Sequence, residues 1–294
     1  MVDPAAAEPG ADPDASYLER EPALSDELGS GGQGRILSIA DDPEHVFKQL
    51  AVPVRASSTE FQRLVALQGP MERILSGADV DLVWPRRAVL EDGAITGYVM
   101  PRFPQGYTLT VNGVEREASL MYAVPKDGPF AASVATTPAQ RLALVTAVGR
   151  FLAALHHCDY VYGDVSWSNM LFRVQPRPSV LVFDVDGVRR VGALPALSQG
   201  AADTVDWRDP AVRAGLDACF DSDRYKFALL AYRLLVALSV SAPLPQLLEI
   251  PADRGISTGQ SESLRRLWAR AVAGGGGRPA IAEWLAVLEQ NSGA

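Results

Sequence analysis

The sequence predicts an α+β chain in two lobes, a small antiparallel strand-rich front carrying one helix and a larger, mainly helical back. Three observations lead there. Short apolar runs broken by Gly and Asp turns fill residues 28–100, a single helix-period stretch interrupts them, and from residue 138 the apolar spacing is mainly helical. With 294 residues, 48% of them hydrophobic, the chain has ample material for a sizeable core.

Residues 1–22, rich in Ala, Pro and Asp, are expected to form an acidic, disordered tail. Residues 1–27 hold eight acids and one base, seven of the chain's eight net negative charges. The rest is almost neutral, without the basic footprint of a nucleic-acid binder. Two cysteines, Cys158 and Cys219, cannot build a disulfide framework or a four-ligand zinc site. The first residues lack a positive and an apolar region, so reduced thiols, a cytoplasmic location and no disulfide-linked partner are expected. The longest apolar stretch, residues 227–244, contains Arg233 and Pro243, which points to a buried helix and a turn and not to a membrane span.

The front lobe is expected over residues 23–103. A glycine-rich turn at 28–34 leads into strands at 35–40 and 45–50. A helix over 57–68, with Phe61, Leu64 and Val65 on one face, is expected to stop at Gly69-Pro70. Strands at 81–90 and 94–100 follow, joined by Asp92-Gly93, a dipeptide that suits the positive φ values of a tight primed turn. The back lobe, 104–291, opens with an aperiodic insertion at 104–137, expected to be a loop with a short helix. Thr137-Pro138-x-Gln140 then has the capping-box pattern of a helix start, with Leu142, Val145, Val148, Leu152 and Leu155 as its buried face. Two short strands flank a turn near 175–178, and helices are expected at 223–238, 263–273 and 280–290.

Four sets of residues carry candidate chemistry. Gly29-Ser30-Gly31-Gly32-Gln33-Gly34 is a G-x-G-x-x-G string running into a strand, which suits a hairpin lid whose N–H groups approach phosphate oxygens. A plain glycine-rich hairpin explains it equally well. Lys48, fourteen residues past Gly34, could be a cation on the phosphates of a nucleotide or a solvent-facing strand lysine. Its orienting carboxylate would be Glu60, although Ser57-x-x-Glu60 is also a capping box, with Glu72 in reserve. Asp164 and Asn169, five apart on a loop, can address one site, the Asp taking a proton from a hydroxyl and the Asn oxygen holding a metal ion. Asp184 follows the apolar run of residues 180–183 and suits Mg²⁺, with Asp186 as alternate. An Asp-x-Asp-Gly turn is the bland reading of that segment. His156 and His157 end a helix and are read as a dipole-favoured cap and a core residue.

In that order the glycine loop, strand lysine, helix glutamate, Asp-x₄-Asn and strand-end Asp resemble the protein kinase superfamily, in the flavour of a divergent bacterial serine/threonine kinase-like group. The resemblance covers about residues 28–290. It implies a two-lobed protein kinase-like fold, ATP and Mg²⁺ as nucleotide and metal, and transfer of the γ-phosphate to Ser/Thr hydroxyls of a protein substrate or signalling partner, with Asp164 as base. It also implies that Met100 is a gatekeeper, that backbone near Arg102 and Phe103 faces adenine, and that Asp223 braces the catalytic loop. Arg278 would close the fold opposite Asp209. Tyr162-Gly163 replaces the family's His-Arg, which leaves a phosphorylated activation loop without its usual anchor. Ser166 stands where a lysine is usual, and Asp184-Val185-Asp186 where Asp-Phe-Gly is usual. These departures keep open a nucleotide-binding pseudokinase or scaffold. A small-molecule kinase shares the Asp-x₄-Asn logic and is the third reading.

Overall fold

The computed structural model describes residues 16–291 apart from 19, 56–57, 112, 126–134, 199–203, 211–217 and 275. It is a mixed α+β structure with an antiparallel-rich N-terminal sheet and a helical C-terminal part. The expected tail boundary moves. Residues 1–15 lie outside the described residues, but β1 (Tyr17–Leu18) pairs in parallel with β6 (Arg87–Glu91), and the Tyr17 ring lies 5.5 Å from that of Phe61. An apolar Tyr-Leu pair gains more by joining a sheet than by staying solvated, so the fold begins before residue 22.

β2 (Leu24–Gly31) and β3 (Gly34–Ile39) form the glycine hairpin, and β4 (Asp42–Val54) continues the sheet. α1 (Ser58–Ile74) does not stop at Gly69-Pro70; Pro70 lies inside it. Met71, fully buried, and Leu75, 5% exposed, prolong the face of Phe61, Leu64 and Leu67. Burying each is worth about 1.5–3 kcal/mol, enough to offset the roughly 3 kcal/mol that an interior proline costs.

The expected strand over 81–90 is two strands in different sheets. β5 (Val80–Leu82) leaves the N-terminal sheet and pairs in parallel with a later strand, while β6 pairs with β7 (Ala94–Pro101). Between them Trp84 is fully buried and its Nε1 donates to the Leu64 carbonyl of α1 at 2.7 Å, and Pro85, with no N–H, ends the ladder. The β6–β7 turn has the expected geometry, with Asp92 at φ +49° and Gly93 at φ +75°. The six-stranded sheet has the order β1-β6-β7-β4-β3-β2.

The insertion at 104–137 is not merely a loop. It holds a hairpin of β8 (Thr108–Val111) and β9 (Val114–Glu117), then a short 3₁₀ turn, Leu120–Ala123. α2 (Pro138–His157) starts as expected, with the Thr137 hydroxyl accepting from Gln140 N–H and the Gln140 side chain accepting from Thr137 N–H. After it come β10 (Tyr160–Val161), β11 (Met170–Arg173), β12 (Ser179–Val182) and β13 (Arg189–Arg190), with β11-β12-β5 as a three-stranded sheet. α3 (Phe220–Ala231) runs on as one irregular segment, Tyr232–Ala237, and α4 (Thr258–Ala273) and α5 (Ile281–Leu288) close the fold. The main core joins the inner sheet face, α1, and the C-terminal helices; Leu37, Phe47, Val89 and Val99 form a smaller cluster on the sheet's other face.

Candidate functional site

Strand alternation decides where Lys48 points. Val46 and Leu50 belong to the main core and Phe47 to the smaller cluster, so Lys48 shares the inner face with Val46 and Leu50. It is 7% exposed, which removes the solvent-facing reading. Directly across the ladder stands Tyr98 of β7, with the ammonium 5.8 Å from its ring centroid.

The Lys48 ammonium donates to Asp184 Oδ1 at 2.9 Å and to Asp186 Oδ2 at 2.6 Å. Glu60, expected to orient it, instead pairs with Arg63 one turn along α1, and Glu72 accepts from Gln68. The helix carboxylate therefore does not meet the lysine. Tyr98 donates its phenol proton to Asp186 Oδ1 at 2.6 Å, so both oxygens of Asp186 are taken. Two carboxylates share one ammonium in a buried place. Burial, and then the Asp184 charge against the pull of Lys48, pushes the Asp186 carboxyl up to about 6. Asp186 and Asp184 outweigh desolvation at Lys48 and raise it above its ordinary value. Asp184 sits at φ +55°, a left-handed backbone uncommon for a non-glycine residue.

The glycine hairpin reaches this cluster from above. With its amide nitrogen turned to the carboxylates, Gln33 at the tip donates to both oxygens of Asp184 at 2.9 and 2.8 Å. Added Cβ atoms on Gly29, Gly31 and Gly32 would meet nothing within 4 Å, whereas one on Gly34, at φ +146°, would lie 1.9 Å from the Gln49 carbonyl. Gly34 is required by the fold; packing within the chain does not demand the other three.

The Asp164 loop is positioned from below. Asp223 of α3, fully buried, accepts from the N–H groups of Tyr162 and Gly163 at 2.8 and 3.0 Å, and His156 lies 3.2 Å from the oxygen that accepts from Tyr162. His156 is thus a partner of the bracing carboxylate, and His157 is exposed. Lys226, one turn along α3, donates to the Gly163 carbonyl at 2.6 Å. Tyr162 donates to the Phe183 carbonyl at 2.8 Å, tying the loop to the segment that carries Asp184. Asn169 Nδ2 donates to the Asp164 carbonyl and to its Oδ2 at 2.8 and 2.9 Å, while Thr204 places its hydroxyl 3.0 Å from Asp164 Oδ1. Arg278 holds Asp209 with a bidentate pair, as expected.

Met100 is buried beside Val46. Arg102 does not offer its backbone N–H to a base: that group donates to the Glu44 carbonyl at 2.8 Å, and the guanidinium binds Pro43 and Ser38. The Phe103 ring lies 4.9 Å from that of Phe183, tilted by 57°, next to Asp184.

Sequence reasoning missed Tyr98, Gln33, Thr204 and the pairing role of Asp186. The residue opposite Lys48 follows from register, and register depends on the turn and face pattern of strands whose paired residues, Lys48 and Tyr98, are far apart in the chain. With its amide committed to Asp164, Asn169 has Oδ1 to offer, and Asp184 offers a carboxylate 22% exposed; these are hard oxygens of the kind that Mg²⁺ takes together with phosphate oxygens and water. Among the described residues no cluster of three His, Cys, Asp or Glu side chains would hold a metal unaided, no helix is long and apolar enough to cross a membrane, and Cys158 and Cys219 are unbridged. Neither a family model nor a curated protein matches this sequence.

Proposed function

We propose that the chain is a protein kinase-like, two-lobed phosphotransferase that uses ATP and Mg²⁺ to phosphorylate Ser/Thr hydroxyls of a protein. The observation that carries the reading is a single bonded path. It runs from Lys48 on the N-terminal sheet to Asp184, through the Phe183 carbonyl to Tyr162, and on to Asp164 and Asn169 of the adjoining loop. Lysine, carboxylate, amide and a second carboxylate in one place are what phosphoryl transfer between a nucleotide and an alcohol asks for.

In this reading Lys48 binds the α- and β-phosphates, and the open glycines at 29, 31 and 32 let backbone N–H groups close over them. Asn169 and Asp184 would hold Mg²⁺, which when bound neutralises phosphate charge. Asp164 orients the acceptor hydroxyl and takes its proton. The Thr204 hydroxyl already on its Oδ1 is an alcohol in that place. Phe103 and the backbone after Met100 are left to border the base, without the Arg102 N–H.

One observation favours a nucleotide-binding scaffold instead. Ser166, in the place of a cation near the γ-phosphate, is fully buried with its hydroxyl unpartnered. The deciding experiment is incubation with radiolabelled ATP and Mg²⁺, alone and with a generic protein substrate, beside melting curves with and without ATP. Transfer abolished in Asp164→Asn supports the kinase; ATP-dependent stabilisation without transfer supports the scaffold; neither effect overturns both.

A further inference from the structure

Asp184 and Asp186 stand two residues apart and both touch Lys48, yet they are not equivalent. Asp186 is 2% exposed, with one oxygen on the ammonium and the other on the Tyr98 phenol. A metal ion bound there would compete with the ammonium or the phenol for an oxygen that already serves a buried partner, a cost in a dry site. Asp184 is more open, and Gln33, an exposed side chain at the tip of the glycine hairpin, donates to both its oxygens at 2.9 and 2.8 Å and reaches Asp186 Oδ2 only at 3.3 Å. Lys48 and Tyr98 face each other across β4 and β7, so the sheet itself presents ammonium and phenol side by side to one carboxylate.

We propose that Asp186, backed by Tyr98, is the positioning residue that orients Lys48 towards the nucleotide phosphates, the task the sequence pattern assigned to Glu60. The proposal rests on the reading of the site as a nucleotide site. It divides the Asp-Val-Asp segment into one carboxylate for the metal and one for the lysine. Lys48 is then set by the segment that follows β12, and a swing of α1 neither makes nor breaks its anchor.

Two measurements on the full chain test this. In the first, melting temperatures are compared for Lys48→Met, Asp186→Asn, Glu60→Gln and the doubles Lys48→Met/Asp186→Asn and Lys48→Met/Glu60→Gln. Strong non-additivity is expected for Lys48 with Asp186 and additivity for Lys48 with Glu60. The second is the KM for ATP at saturating Mg²⁺. Asp186→Asn is expected to raise it about tenfold or more, with Glu60→Gln within about twofold of wild type. Tyr98→Phe, which keeps the ring, is expected to raise it about threefold and serves if Asp186→Asn does not fold. Additivity of Lys48 with Asp186, or an unchanged KM in Asp186→Asn or Tyr98→Phe, overturns the proposal. A wild type with the coupling that neither binds nor turns over ATP overturns the proposed function and leaves the pairing supported.

Discussion

Replacing Asp223 by Ala removes a fully buried carboxylate that accepts two backbone N–H groups, those of Tyr162 and Gly163, at 2.8 and 3.0 Å. Tyr162 and Gly163 are themselves buried, so water cannot take over either bond. Each orphaned donor costs about 1–3 kcal/mol, and the Ala variant is expected to lose about 3–5 kcal/mol. That is a large share of the 5–15 kcal/mol typical of a folded domain, roughly speaking. Asp223→Asn keeps an accepting oxygen and is expected to lose about half as much. Urea unfolding followed by tryptophan fluorescence reads both, and because the site is dry the losses should persist in about 0.5 M salt. A loss below about 1 kcal/mol in the Ala variant would refute the argument that α3 holds the Asp164 loop.

The glycine hairpin gives a paired test. Gly31→Ala should leave stability within about 0.5 kcal/mol and weaken ATP binding, while Gly34→Ala, whose Cβ would lie 1.9 Å from the Gln49 carbonyl, should lower the melting temperature sharply. The raised Asp186 carboxyl fixes a pH trend. Its folded value of about 6 lies above the ordinary 3.8, so the native state holds the proton longer than the unfolded chain does. This group's contribution is therefore full below about pH 4 and declines as pH rises towards about 6. Urea titrations at both ends should show wild type losing stability relative to Asp186→Asn as pH rises; wild type gaining on the variant contradicts the assignment. Arg278→Lys should cost about 2–4 kcal/mol, because an ammonium cannot replace the bidentate bond to buried Asp209 or the stacking over Tyr225 at 5.0 Å. A change in the unfolding midpoint within error would show that charge alone suffices.

Local chemistry made much of this protein readable from its sequence. The Asp92-Gly93 turn, the Thr137 capping box and the side-chain bond from Asn169 to Asp164 depend on neighbours a few residues away, and the structure carries all three. The hairpin of β8 and β9 was within reach too, since Val111-Asn112-Gly113-Val114 bears the same type of turn dipeptide. Tertiary structure decided the rest. Helix α1 passes Pro70 because Met71 and Leu75 find a core, and the run from Val80 to Glu91 divides because Trp84 is drawn against Leu64. The partner of Lys48 was not readable for the same reason. Glu60, Asp184 and Asp186 are all carboxylates of suitable type, and the choice among them rests on strand register and on burial between elements 136 and 138 residues apart in the chain. Spacing along a sequence selects the chemistry that can occur; which groups share one dry pocket is set by packing, where an unpaired charge costs more than any local preference returns.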